Sequence, residues 1–116
     1  MPDPKRRSCC PVSCTLDLIG DKWTLLIVRD LLLGRTQYKE FAASPEQIAT
    51  NILADRLRRL TDQGIIEQVA STERAGRSTY RLTKKGKALK PVLQSITRWG
   101  LNHLEGTEVR LKPPAR

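Results

Sequence analysis

Three cysteines, Cys9, Cys10 and Cys14, fall within six residues near the start of the sequence. A thiolate attacks electrophiles and oxidants, and a cysteine placed just before a helix has its thiolate favoured by the helix dipole. Cys10 holds such a position, with Lys5, Arg6 and Arg7 close by in sequence. A redox or electrophile switch is therefore one reading, with Cys9 and Cys14 as resolving partners within one chain or across two. The other reading is a small apolar side chain packed at a seam between chains. An odd number of cysteines this closely spaced is not the disulfide framework of a secreted fold. Zinc would need a fourth ligand, adjacent Cys9 and Cys10 chelate poorly, and the single histidine, His103, is far along the chain. No metal and no cofactor are expected. Nucleophilic catalysis needs a base beside the thiol, and no Gly-rich phosphate loop or carboxylate pair is present, so enzyme activity is not expected.

A second chemistry-bearing stretch is ATNILADRLRRLTDQG, Ala49–Gly64. Ile52, Leu53, Leu57 and Leu60 recur at three- and four-residue spacing and so share one face of a helix. The opposite face carries Thr50, Asn51, Ala54, Asp55 and Arg58, with Arg59 at its flank. These side chains are short or cationic and rich in hydrogen-bonding groups, as a helix lying in the major groove requires. Taken alone, such a face is an ordinary solvated helix surface. Its neighbours decide between the two.

At 116 residues the chain is long enough for one domain with a modest core. Hydrophobic content of 39% and mean hydropathy of −0.43 fit a soluble globular protein. A net charge of +9 and a pI near 10.0 favour polyanionic partners, since each neutralised phosphate releases counterions. An anionic membrane surface is the rival partner, but no basic amphipathic helix with a Trp/Phe/Leu face is evident. There is no apolar run long enough to span a bilayer. MPDPKRRSCCPV has positive charge without a following apolar core, so no secretory signal is expected and the predicted location is the cytoplasm.

Met1–Ser8 reads as a flexible basic arm able to follow phosphates or enter a minor groove. Ser13–Ile19 predicts a short helix with Ser13 as N-cap, Leu16 and Ile19 facing inward, and Gly20 as a left-handed stop. Asp21 then caps a helix over Lys22–Leu33 that is apolar on nearly every side and therefore central and buried. Gly34 ends it. After an extended Arg35–Tyr38 comes a short helix, Lys39–Ala43, with Phe41 inward; Ser44-Pro45 breaks it. Short helix, turn and longer polar-faced helix make a helix-turn-helix. The period then changes to two: Ile65–Ala70 and Ser78–Leu82 are strands joined by Ser71–Arg77, with Gly76 suited to the turn and Arg74 and Arg77 at the tip. A hairpin directly after a helix-turn-helix is a wing.

Thr83 caps a last helical region in which Leu89, Val92, Leu93, Ile96, Trp99 and Leu104 form an apolar stripe. Pro91 predicts a kink or break near Lys90, and Gly100 a second soft point. That stripe is more apolar than one small domain can bury. Residues 107–116 are expected to be a disordered tail, leaving 9–106 as the domain. Seven cations stand between Arg74 and Lys90, with Glu73 as the adjoining acid. A one-signed cluster beside a polar-faced helix is the footprint of a DNA-binding face. Lysines in a first turn oppose the helix dipole, so helix stability does not explain them. The predicted fold class is α+β, mostly α: a winged helix-turn-helix with a two-stranded wing and C-terminal dimerisation helices.

CPVSCTLDLIGDKWTLLIVRDLLLG, TNILADRLRRLTDQGII, STYRLTKKGKALKPVL and RWG occur in order, and over roughly Cys10–Trp99 the sequence resembles the HxlR-type winged-helix transcription regulators, relatives of the MarR group. The resemblance implies a homodimeric bacterial regulator of double-stranded DNA, a repressor or autoregulator, acting on palindromic half-sites. It places the recognition helix at Ala49–Leu60. Thr50, Asn51 and Asp55 would then meet base edges and Arg58 a base or phosphate, while Arg56 and Arg59 serve phosphates or intramolecular ion pairs. Arg74 and Arg77 would run along the minor groove. The implied dimer interface takes Leu16 and Ile19 from the first helix and Val92, Leu93, Ile96, Trp99 and Leu104 from the last. Cys10 matches a cysteine through which some members respond to electrophiles, aldehydes or disulfide stress, so a small electrophile or oxidant is the implied effector. Lys39 stands where the family often has a small polar cap, predicting a frayed short helix. A winged-helix protein-interaction module is the alternative, against which the cationic wing argues.

Overall fold

A computed structural model describes residues 6–70 and 78–110. Its core is built on one short helix, α2 (Thr24–Leu32), from which Ile27, Val28 and Leu31 are buried. Ile19, Phe41, Leu53, Leu57, Leu60, Ile65, Ile66 and Leu82 close around them. The helix begins two residues later than the sequence predicts. Asp21 nonetheless caps it across a wider turn: its carboxylate accepts from the N–H groups of Trp23 (3.1 Å) and Thr24 (3.2 Å). Burial is also less complete than expected, since Leu25, Leu26, Leu32 and Leu33 are half-exposed while the polar Thr24 and Asp30 are buried.

The first helix, α1 (Pro11–Ile19), starts earlier than Ser13. Pro11 opens it because a first-turn residue has no intrahelical partner for its N–H and proline's fixed φ already suits the helix. The residue at the cap position is Cys10, not Ser13. Gly20 is right-handed (φ −80°), not left-handed as predicted. Glycine is required there for space instead: a Cβ would stand 2.3 Å from the Leu16 carbonyl oxygen. The end of the N-terminal arm is tied down, with Arg7 Nε donating to Asp17 at 2.7 Å; Lys5 lies outside the described residues.

The helix-turn-helix consists of α3 (Tyr38–Ala42) and α4 (Thr50–Asp62). Lys39 is the second residue of α3 and no cap is missing there. Glu40 reaches back, and its carboxylate accepts from the N–H groups of Thr36 and Gln37, both at 3.1 Å. Phe41 is fully buried and packs edge-on against Tyr80. The turn between the helices is clamped to α2. Buried Asp30 accepts from the Ser44 hydroxyl and from Arg29, whose guanidinium also holds Glu46 through two bonds of 2.8 and 2.9 Å. The Tyr38 hydroxyl donates to the Thr50 carbonyl (3.0 Å), joining α3 to the start of α4.

The wing strands β1 (Ile66–Ala70) and β2 (Ser78–Leu82) pair antiparallel, with Ile66 opposite Leu82 and Ala70 opposite Ser78. The extended stretch before α3 adds a short third edge, through a bridge of Gln37 to Thr79 and a 2.8 Å bond from the Tyr80 N–H to the Thr36 carbonyl. Residues 71–77, including Arg74, Gly76 and Arg77, lie outside the described residues.

The C-terminal region is two helices, α5 (Lys84–Lys87) and α6 (Lys90–His103). The break comes where the sequence predicts it, but Pro91 does not cause it by interrupting a helix. Pro91 sits in the first turn of α6, where it forfeits no intrahelical bond. The expected soft point at Gly100 is absent; α6 runs through it unbroken. At the other end, the Thr83 hydroxyl accepts from Gly86 N–H (3.2 Å) and donates toward the Gly64 and Ile65 carbonyls. Gly86 presses so closely on this seam that a Cβ would stand 2.1 Å from the Ile65 carbonyl oxygen. The start of the expected tail is ordered, since Thr107 donates from its hydroxyl to the Gly100 and Leu104 carbonyls; residues 111–116 lie outside the described residues. No helix among the described residues is long and apolar enough to cross a membrane.

Candidate nucleic-acid interface

Helix α4 has one face fixed and one face open. Leu53, Leu57 and Leu60 are buried, as their spacing predicts, while Thr50, Asn51, Ala54, Arg58 and Arg59 are exposed. Among the described residues, the Thr50 hydroxyl and the Asn51 amide make no hydrogen bond, so both present free donors and acceptors to whatever docks there. The clamp of Arg29 and Asp30 on the preceding turn and the Tyr38–Thr50 bond hold this face at a set angle. A rigid frame behind short polar side chains is what base-edge recognition requires.

Asp55 and Arg56 are placed differently from Thr50 and Asn51. Arg56 turns inward: its Nε donates to Asp21 at 2.9 Å and its Nη1 to Asp55 at 2.6 Å. Asp55 also accepts from Arg58 at 3.0 Å, and Arg59 stands 3.9 Å away. Of the two uses the sequence leaves open for Arg56, phosphate contact or internal ion pair, the structure shows the ion pair. Partners 35 residues apart leave no local periodic signal, so only the cap role of Asp21 is readable from sequence.

Burial raises the Asp21 pKa, but the Thr24 hydroxyl, the Arg56 guanidinium and the Trp23 N–H outweigh it and leave the group at about 2. A carboxyl depressed from its ordinary 3.8 contributes stability that is full above about pH 4 and is lost as pH falls toward 2. Acid titration of the unfolding free energy is expected to show this loss, about 2 kcal/mol, and Asp21→Asn to remove it. An unchanged acid limb in the variant would place the linkage elsewhere.

The cation cluster is partly spoken for. Arg81 pairs with Glu67 across the strands, and Lys85 Nζ donates to the Gln63 carbonyl at 2.8 Å. Lys85 thus satisfies an end carbonyl of α4, where a cation also suits the helix dipole. That is a structural role which the argument from its own helix's dipole does not reveal. Lys84, Lys87 and Lys90 are exposed, with no ion pair among the described residues.

The apolar residues assigned to a dimer interface divide into two groups. Ile19, at 5% exposure, belongs to the chain's own core, and Leu93 leans on that core. Leu16, Val92, Ile96, Trp99 (60% exposed) and Leu104 are uncovered, and so are Val12 and Leu101, which sequence reasoning passed over. A helix of fourteen residues with none buried has an apolar surface left over. Between α1 and α6 runs a groove of about 470 Å³ lined by Val12, Leu16, Leu25, Val92 and Ile96.

All three cysteines are free thiols; Cys9 and Cys10 are exposed and Cys14 is half-buried. The Cys10 thiol pKa is lowered, first by the Ser13 N–H and then by the Val12 N–H, with burial opposing weakly. The cause is the open first turn of α1. Cys14 Sγ donates to the Ser8 carbonyl at 3.2 Å. Among the described residues no group of His, Cys, Asp and Glu could hold a metal ion.

The profile of the family described as HxlR-like helix-turn-helix matches residues 18–108. The chain belongs to this family. It is a DNA-binding transcriptional regulator of winged helix-turn-helix fold. It is 32% identical over 90 residues to the uncharacterised HTH-type transcriptional regulator YvaP of Bacillus subtilis (strain 168), covering 78% of this chain and 83% of YvaP. Among solved structures, PA1607, proposed to be a transcription factor, is 43% identical at a TM-score of 0.81, covering 91% of this chain and 75% of that one. The redox regulator HypR, in its oxidised form, is 29% identical at 0.74, covering 86% and 100%.

Proposed function

We propose that this HxlR-family protein works in the cytoplasm as a homodimer, repressing transcription by binding a palindromic operator. In this reading α4 enters the major groove, with Thr50 and Asn51 at base edges and Arg58 at a base or phosphate. Arg74 and Arg77 of the hairpin follow the minor groove, and two copies meet through the apolar surface of α6 and α1. The observation that carries the reading is the open polar face of α4, braced from behind by the Asp30 clamp. A net charge of +9 supplies the attraction to phosphates.

Operators selected from random duplex DNA test it. Binding is expected to weaken steeply with salt, and Asn51→Ala to lower operator affinity about tenfold while barely affecting random DNA. Association with no salt slope would point instead to a protein-interaction module.

The switch proposed for Cys10 rests on its exposure, its lowered pKa and the likeness to HypR. Treatment with a quinone or hydroperoxide is expected to weaken operator binding by the native protein and to leave a Cys10→Ser variant unaffected. Equal responses in a gel shift would remove Cys10 from the mechanism.

A further inference from the structure

Resting on the reading of α4 as recognition helix, we propose that Arg56 and Asp55 do not contact DNA. They act as positioning residues that, with Asp21, determine base preference by fixing where Arg58 is presented. The two arginines differ in exposure in the direction this needs: Arg58 is 72% exposed and Arg56 20%. Arg56 spans two carboxylates with one planar fork, Nε on Asp21 at 2.9 Å and Nη1 on Asp55 at 2.6 Å. A guanidinium bound on two edges cannot rotate without breaking one of them, so it sets the orientation of Asp55. The second oxygen of Asp55 accepts Nη2 of Arg58 at 3.0 Å. Arg58 is thereby held at one point of its long side chain before any DNA arrives. A side chain already ordered loses less freedom on docking and reaches fewer alternative base edges.

The far end of this relay does not move with α4. Asp21 belongs to the corner between α1 and α2, where it is held by the Trp23 and Thr24 N–H groups and by the Thr24 hydroxyl. The position of Arg58 is therefore referred to the body of the protein and not only to its own helix. Charge supports the assignment of Asp55. A bare carboxylate against DNA would repel phosphates, but here Arg56, Arg58 and Arg59 surround it. Asp55 works as the hub of an arginine cluster.

The rival role for Arg56 is a direct phosphate contact, and three variants separate the two. Asp21→Asn keeps the cap, because asparagine caps as well as aspartate, but it weakens the hold on Arg56. Arg56→Lys keeps the charge and loses the fork. Affinities for the selected operator and for random duplex, each across a salt series, are the readout. Positioning predicts that both variants lower operator preference about tenfold, leave random-duplex affinity and salt slope unchanged, and in combination cost no more than either alone. The proposal is overturned if Arg56→Lys binds the operator normally, or if Arg56→Gln weakens both duplexes equally and lowers the salt slope by about one. An operator bound equally well by native protein, Asn51→Ala and Arg58→Ala would remove the groove reading itself, and the relay's role with it.

Discussion

Asp30→Ala is expected to lower folding stability by about 3–5 kcal/mol, the range for removing one member of a buried ionic cluster. The side chain is 2% exposed and joins three segments. It accepts from the Ser44 hydroxyl in the helix-turn-helix turn, from Arg29 on its own helix at 3.1 and 3.2 Å, and it lies 3.9 Å from Arg35 at the head of the extended stretch. Alanine would leave the donors of Ser44 and Arg29 without the carboxylate that satisfies them. The consequence extends beyond stability. Ser44 and Glu46 locate the turn, and the turn sets the angle of α4, so the folded fraction of the variant should also lose operator preference. Urea unfolding and operator binding, measured together, check both parts. A stability loss under about 1 kcal/mol would show that the turn is located by apolar contacts such as Phe41 alone.

The largest functional effect is expected at α6. Ile96→Glu places a charge in the apolar surface beside Val92, at a residue 49% exposed in the protomer. Burying that carboxylate between two copies without a partner is prohibitive, so the variant should sediment as a monomer. Operator affinity should then fall at least about a hundredfold, because two linked half-site contacts become two separate ones. The unfolding midpoint at matched monomer concentration should move little, since the side chain contributes little to the protomer core. Trp99→Glu should behave in the same way. A variant that remains dimeric would place the interface on another face.

The parts of the fold readable in the sequence are those written as local periods. Leu53, Leu57 and Leu60 set the orientation of α4 as their spacing predicts, while Ile52 of the same predicted stripe is only half-buried and outside the core; the two-residue alternation after Gly64 places the wing strands to within one residue. Pro91 reads in sequence as a helix breaker, yet it opens α6, as Pro11 opens α1, because the first turn is where a missing N–H does no harm. Ile19 shares a helix with Leu16, yet one is core and the other surface. The ionic framework was least accessible. Asp30 with Ser44, Arg29 with Glu46 and Asp21 with Arg56 join residues 14, 17 and 35 positions apart, and no helical or strand period links such pairs. Asp55 therefore reads as part of an open polar face, although its carboxylate is tied to Arg56 and Arg58.

The seam at Thr83 and Gly86 has a consequence for length measurement on DNA. There the exit of α4 and the root of the C-terminal helices share carbonyls, with no room for even a methyl group between them. In a pair joined through α6, the end of each α4 would then be tied to the root of the helices that lead to the axis of symmetry, like the jaw of a caliper held near one opening. Such a dimer would tolerate base changes between the half-sites but not altered spacing. Adding about five base pairs, half a turn of the duplex, would turn the second half-site to the opposite side of the DNA, beyond the reach of a jaw that cannot swing.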